Sequence, residues 1–288
     1  MISKIGSLLF FCSFLGFYPV QTNAQGTRLL RQPTISDQHI AFVHANDLWV
    51  VDRRLGETKL GNARRLTSNE GAETNPHFSP DGKWIAFTGE YDGNVDVYII
   101  PAEGGQPKRL TWHPGNDEVT GWTPDGQSVL FSSGREGYPT AASKLYTIAT
   151  NGGMPVALKV PRAANGELSK DGNFLAYTPI SFWDPEWRNY RGGQAQPIWI
   201  LNLKDYSLKQ TLQTDNERHT DPVWLNGKIF FLSERDFANN IWSYNPATED
   251  VEQITFHKQF DAKSLDAGGG MIVYEQGGYL HLLDPSNG

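Results

Sequence analysis

The chain has almost no cysteine, no strong excess of charge of one sign and no long apolar run beyond its first residues. Cys12 is the only cysteine in 288 residues, and it lies within the apolar stretch SLLFFCSFLGFYPV of residues 7–20. Removal of that stretch would leave no thiol, which excludes disulfides and cysteine metal sites. Stability must then come from packing. The formal net charge is −7, from 25 Lys and Arg against 32 Asp and Glu. A mildly acidic chain is a poor electrostatic partner for DNA, RNA or anionic lipid. Catalytic signatures are missing too: there is no GxSxG elbow, no HExxH and no GxxxxGK[ST]. His39, His44, His77, His113, His219, His257 and His281 are scattered, with no pair at metal-ligand spacing. Neither a cofactor nor a metal is expected, and no catalytic residue is assigned.

What is present begins with a leader. Lys4 supplies a positive start, and residues 7–20 are too short to cross a bilayer as a helix of about twenty residues. Small residues ending at Ala24 follow. This is the grammar of a secretory signal peptide over residues 1–24, cut after Ala24. The mature chain, residues 25–288, is expected to be secreted or periplasmic and to leave the membrane after cleavage.

Gly and Pro are plentiful, at 29 and 17, and there are nine Trp. Such a composition suggests many strands and turns. A repeat confirms the suggestion. Ser79-Pro80-Asp81-Gly82 precedes KWIAFT, Thr123-Pro124-Asp125-Gly126 precedes QSVLFS, and Ser169-Lys170-Asp171-Gly172 precedes NFLAYT. Weaker copies precede HIAFVH, KIFFLS and MIVYEQ. Asp-Gly and Asn-Gly favour tight hairpins because these residues tolerate positive φ. The apolar run after each is a buried strand. One aspartate per hairpin, each in a different repeat, reads as turn chemistry rather than as metal ligation.

The unit recurs about every 44 residues, once stretched to about 55, which is the period of a propeller blade. DLWVVD, DVYIIP, KLYTIA, PIWILN, NIWSYN and YLHLLD supply third strands. ARRLT, PKRLT, VALKV, KQTLQ and EQITF supply fourth strands. The expected fold is all-β: a six-bladed β-propeller of four-stranded antiparallel blades starting near residues 28, 70, 115, 162, 216 and 261. The last blade is incomplete, because no fourth strand follows YLHLLD. Too few residues precede the first strand to supply it from the N-terminus, so further domains are expected beyond residue 288, with the missing strand first.

Strand direction puts the loops between second and third strands on one face, together with the connections between blades. The Asp-Gly hairpins lie on the other. The first face is the decorated one: Arg135, Arg188, Arg191 and Arg235 all stand in its loops. Its longest loop carries FWDPEWRNYRGGQAQ, from which Trp187, Arg188, Tyr190 and Arg191 are candidate substrate- or interface-binding residues. Two readings stay open. The aromatics can pack on a neighbouring blade or domain, with the arginines in ordinary ion pairs. Alternatively, Arg188 or Arg191 can grip a peptide carboxylate, which suits the bidentate geometry of guanidinium.

SPDGKWIAFTGEYDGNVDVYIIPAEGGQPKRLT resembles the repeat of TolB-type, WD40-like propellers. WRNYRGGQAQPIWILNL, DPVWLNGKIFFLSERDFANNIWSYNP and QITFHKQFDAKSLDAGGGMIVYEQGGYLHLLDP are similar to the six-bladed N-terminal propeller of tricorn protease and its bacterial homologues. The resemblance runs in order through the mature chain. It implies a large serine peptidase that forms homo-oligomers and cuts oligopeptides. In that family a C-terminal propeller, a PDZ domain and the catalytic domains follow in the same parent chain. This chain would then be a non-catalytic propeller that gates or positions oligopeptides. In archaeal members, basic residues between blades two and three hold the peptide C-terminus. Here that connection, residues 111–118, has no arginine pair, so the role is carried to no residue. Two other functions compete: a TolB-like interaction propeller of an envelope complex, and the propeller of another hydrolase of prolyl-oligopeptidase-like or amidohydrolase-like type.

Overall fold

The computed structural model describes residues 28–53, 61–136, 142–181 and 188–286. The expected leader and Trp187 lie outside these residues. Among the described residues, twenty-three strands form six antiparallel sheets, each in simple sequential order. Blade one is β1 (Arg31–Ile35), β2 (His39–His44), β3 (Asp47–Asp52) and β4 (Arg64–Arg65). Blade two is β5 (Glu73–Phe78), β6 (Trp84–Tyr91), β7 (Asn94–Pro101) and β8 (Lys108–Arg109). Blade three is β9 (Asp117–Trp122), β10 (Ser128–Ser133), β11 (Lys144–Ala149) and β12 (Val156–Ala157). Blade four is β13 (Asn165–Leu168), β14 (Phe174–Thr178), β15 (Trp199–Asn202) and β16 (Leu208–Gln210). Blade five is β17 (His219–Leu225), β18 (Lys228–Asp236), β19 (Ala238–Tyr244) and β20 (Val251–Gln253). Blade six has only β21 (Ala262–Gly268), β22 (Met271–Gln276) and β23 (Tyr279–Leu283) among the described residues. The six blades and the short sixth agree with the sequence reading.

The core is divided among the seams between blades. Each second strand sends alternate residues to opposite neighbours, as a strand's period of two requires. Ile85 and Phe87 pack against Ala41, Val43 and Leu48 of blade one, while Ala86 between them packs against Val129 and Phe131 of blade three. Phe231 fills the seam of blades four and five, and Phe230 that of blades five and six. Ile35, Ile40, Phe42 and Val51 meet Val273 where the ring closes. Each fully buried side chain of this size stabilises by about 1.5–3 kcal/mol.

The plain-face hairpins differ in detail from the sequence reading. Asp81, Asp125 and Asp171 do not take positive φ; the glycines after them do, at 70° for Gly82, 68° for Gly126 and 69° for Gly172. Aspartate works through its side chain instead. Asp81 Oδ1 accepts bonds from Ser79 Oγ at 2.7 Å and Lys83 N at 3.1 Å, and the other two copies repeat this. Asn226-Gly227 and Gly269-Gly270 put both residues at positive φ, in two-residue turns between β17 and β18 and between β21 and β22. On the decorated face, blade two also runs further than expected: β6 and β7 continue to an Asp92-Gly93 turn whose residues have φ of 55° and 77°.

A threonine follows four of the outer strands and locks those blades. Thr67, Thr111, Thr211 and Thr255 each accept the N–H of a third-strand residue or the residue beside it, at 2.9–3.0 Å. Each hydroxyl also bonds a second side chain: Glu73, Asp96, His219 and Asn240 respectively. The repeat spells this lock RLT in blades one and two, KQT in blade four and QIT in blade five.

Candidate functional site: the channel and its mouth

The inner strands surround a central channel with a volume of about 1280 Å³. Their bulges shape its wall. Gln32, Asn75 and Asp221 take φ of 46°, 49° and 49°, and each precedes a proline. Register shifts follow at these points. Proline has no N–H to lose from the ladder, so it suits a bulge on an edge strand.

The inner strands have no further sheet neighbour, so adjacent blades satisfy some of their N–H groups. Phe78 N donates to Thr34 Oγ1 at 3.0 Å, Trp224 N to Glu167 Oε2 at 3.0 Å, and Ile35 N to Asp266 Oδ2 at 3.1 Å. Glu167 and Asp266 thus join blades as well as lining the channel. Burial and the Asp266 carboxylate push Glu167 well above the usual carboxylate range, against the bond from Trp224. Asp221 is pushed up to about 6, by burial first and in part by Glu275, with Arg218 and His77 opposing. His77 also lines the channel, with Nδ1 3.6 Å from Asp266 Oδ1. Among the described residues, no three His, Cys, Asp or Glu side chains gather in a way that could hold a metal ion.

At the decorated mouth, the long loop of blade four reaches across blade five to blade six. Arg188 lines the channel and forms a two-pronged pair with Asp261, Nε to Oδ2 and Nη2 to Oδ1, both at 2.8 Å. Asn239 N also donates to Asp261 Oδ1 at 2.9 Å. The Arg188 guanidinium also lies over the Phe237 ring, 5.9 Å from its centre. Arg191 turns instead to Glu234, with Nη1 3.3 Å from Oε1. Glu234 is a buried hub that also accepts Asn189 N at 2.8 Å and stands 3.9 Å from Arg218. Tyr190 is half-buried beside Gly192, where a Cβ would collide with its ring. The structure therefore separates the candidates. Arg188 belongs to the channel wall, Arg191 is tied beneath the loop, and both have carboxylate partners.

The other decorated-face arginines are structural. Arg135 pairs with the buried Asp117 and lies over Phe131 and Tyr146. Arg235 pairs with the buried Glu217 at 2.7 Å and lies over Trp242. Glu217 in turn meets His219 Nε2 at 3.3 Å, whose Nδ1 is 2.8 Å from Thr211 Oγ1. This chain of hydroxyl, imidazole and carboxylate has the connectivity of a catalytic triad. All three are fully buried and absent from the channel wall, and Thr211 already accepts Ile198 N. It works as a lock between connection and blade. Glu234, Asp261, Glu167 and Asp221 were not singled out by the sequence. The paired Gln-Pro, Asn-Pro and Asp-Pro of three first strands were the available signal for the channel wall.

The model of the tricorn protease N-terminal beta propeller domain matches residues 27–288. The tricorn protease of Thermoplasma acidophilum is 28% identical over 268 residues, covering 89% of this chain and 24% of that protein. Tricorn protease homolog 1 of Streptomyces coelicolor is 28% identical over 264 residues, covering 90% and 24%. The crystal structure of the tricorn protease matches with a TM-score of 0.78 at 26% identity, over 90% of this chain and 25% of that one. A putative TolB from Agrobacterium tumefaciens, at a TM-score of 0.62 and 17% identity over 78% of this chain and 80% of that one, shares the fold. The chain spans about a quarter of the length of the curated relatives it matches.

Proposed function

The chain belongs to the family of tricorn protease N-terminal β-propellers, and from that premise we propose that it serves as the non-catalytic propeller of a secreted, tricorn-like serine peptidase. In this reading it positions or gates oligopeptides for catalytic domains elsewhere in the parent protein. One observation carries it: a matched propeller whose open channel has a charged mouth, with Arg188 on its wall. A peptide's terminal carboxylate would replace Asp261 as the partner of Arg188, since the guanidinium offers the same fork to either. Arg191, held by Glu234, keeps the loop in place. Oligopeptides and the downstream domains are the proposed partners, with assembly into homo-oligomers.

Peptidase assay of the full-length protein from its own host tests this. The secreted enzyme should begin at Gln25 and cut oligopeptides. Arg188→Ala should raise KM about three- to tenfold, equivalent to roughly 1 kcal/mol of binding, with folding unchanged. Wild-type kinetics in both Arg188→Ala and Arg191→Ala would remove the mouth from the binding path. Absence of peptidase activity from the full-length protein would remove the function itself.

A further inference from the structure

Blade two carries a second groove, of about 680 Å³, away from the channel. The connection from β4 to β5, the β6–β7 turn and β8 enclose it, through Asn69, Glu70, Glu90, Asp92 and Arg109 among others. None of these five lines the channel. Two walls of the groove are fixed to each other. Ala72 O accepts Glu90 N at 2.9 Å, and Gly71, at a φ of 114°, lies so close that a Cβ would strike Glu90 O.

Tyr98 of β7 also lines the groove and is only 5% exposed. Its ring is held from three sides. It stacks on Phe87 at 5.6 Å, meets Tyr91 edge-on at 4.7 Å, and lies over Gly89, where a Cβ would come within 2.9 Å of it. Tyr91 spends its hydroxyl on Glu73. The Tyr98 hydroxyl bonds nothing among the described residues. Unlike the sealed, unpartnered hydroxyl of Tyr146, it opens into the groove. A buried phenol ordinarily finds a partner, so this one calls for a partner in the groove.

Charge gives the class of that partner. Glu70, Glu90 and Asp92 stand exposed at the rim, and none has an ion-pair partner among the described residues. Arg109 does not neutralise them, because Asp96 and Thr111 O already take its guanidinium, which also lies over Trp112. Such a rim repels anions. A single metal ion is not matched either, since among the described residues no three acidic side chains gather closely enough to hold one. Carboxylates spread along a groove suit positive groups spaced along a chain. An ammonium group has three N–H donors, enough for a carboxylate and the Tyr98 hydroxyl together.

We propose that this groove binds an extended polyammonium chain, with the Tyr98 hydroxyl and the Glu70–Glu90–Asp92 rim as its acceptors. Free polyamines and successive lysines of a peptide share that chemistry. Calorimetric titration of the full-length protein with spermidine and with trilysine, at about 20 mM salt where screening is weak, tests the site. Saturable binding is expected, with spermidine the tighter if the source is a polyamine and trilysine if it is a basic peptide. Tyr98→Phe keeps the packed ring and removes only the hydroxyl. It should leave the Tm of the free protein unchanged and weaken binding about three- to tenfold. Glu70→Gln, Glu90→Gln and Asp92→Asn together should weaken it more than about tenfold. Binding of neither probe up to about 10 mM would overturn the proposal. So would wild-type affinity in Tyr98→Phe, or in the triple variant, which would move the cation to the acidic groups of the channel. A full-length protein without peptidase activity would still bind the probe, so this inference and the proposed function fail separately.

Discussion

Asp81, Asp125 and Asp171 on the plain face bond only within their own turns, to groups two residues away. Glu217, Glu234, Asp261 and Asp221, at the channel and on the decorated face, also hold groups from distant parts of the chain. Arg188 and Asp261 are 73 positions apart, and Arg191 and Glu234 are 43. The hairpin carboxyls all sit below the usual range, because hydroxyl and backbone donors favour the ionised form. Glu167 and Asp221 sit above it, with burial the main cause. The same side-chain chemistry thus does local work on one face and long-range work on the other. One face is assembled turn by turn, and the other only when the ring closes.

Glu217→Ala should separate the two groups most sharply. Glu217 has no solvent exposure and holds Arg235, His219 and the N–H groups of Thr214 and Asp215. Burial alone would raise its carboxyl, but bonds from His219 and the backbone overcome this and leave it well below the usual range. Removing it takes the carboxylate from the largely buried Arg235 guanidinium and leaves Leu212 O as its remaining hydrogen-bond partner, which costs about 3 kcal/mol. Denaturant unfolding should show that loss. A loss under about 1 kcal/mol would mean that the pair behaves as a surface bridge. The pH sign is fixed as well. A carboxyl depressed on folding stabilises above its unfolded value of 4.5, and that contribution fades as pH falls below it. His219, depressed by burial, likewise favours folding most above 6.5 and less below. Acid should therefore erode the difference between wild type and Glu217→Ala.

Asp221→Asn should act in the opposite direction. A carboxyl raised from 3.8 to about 6 favours the fold fully at low pH and loses that contribution as pH rises through its folded value. Above pH 7 the native state carries an ionised, crowded Asp221. Asparagine keeps an oxygen for Asn165 Nδ2, which is 3.4 Å from Asp221 Oδ1. It also accepts the left-handed φ of 49°. The variant should gain about 1–2 kcal/mol at pH 7.5, less than the full linkage value because the channel admits water. It should gain nothing at pH 4. Thermal melts at both values decide it, and equal stability at pH 7.5 would place Asp221 with the hairpin aspartates.

The same division explains what could be read from sequence. Hairpins, strand order and the short sixth blade were legible because Asp-Gly turns and alternating apolar runs carry their cause within a few residues. The threonine lock was half-legible: RLT is visible in two blades, but Thr67 needs Leu48 of the neighbouring strand and Glu73 of the next blade. Arg188 and Arg191 were visible as candidates, while Asp261 and Glu234 were not. No local pattern distinguishes an acidic residue that will meet a loop some forty or seventy positions away from one that will face water. Seam filling lay between these cases. Period-two alternation marks both faces of each second strand as buried, yet it does not say which neighbour each face will meet.

The smallest effect tests the comparison from its local side. Asp125→Ala removes acceptors for Thr123 Oγ1 and Gln127 N in a turn open to solvent. Water replaces both bonds, so the loss should be about 0.5 kcal/mol at pH 7. It should shrink below pH 3.8, where the unfolded aspartate is protonated and the depressed carboxyl of the fold follows. Each hairpin keeps its aspartate bonds within itself. The triple variant Asp81→Ala, Asp125→Ala and Asp171→Ala should therefore lose close to the sum of the single losses, within about 0.5 kcal/mol. Glu234→Gln and Arg191→Ala break the same pair and should not add. Additivity in the second set, or its failure in the first, would dissolve the distinction between a face built turn by turn and a face built across the ring.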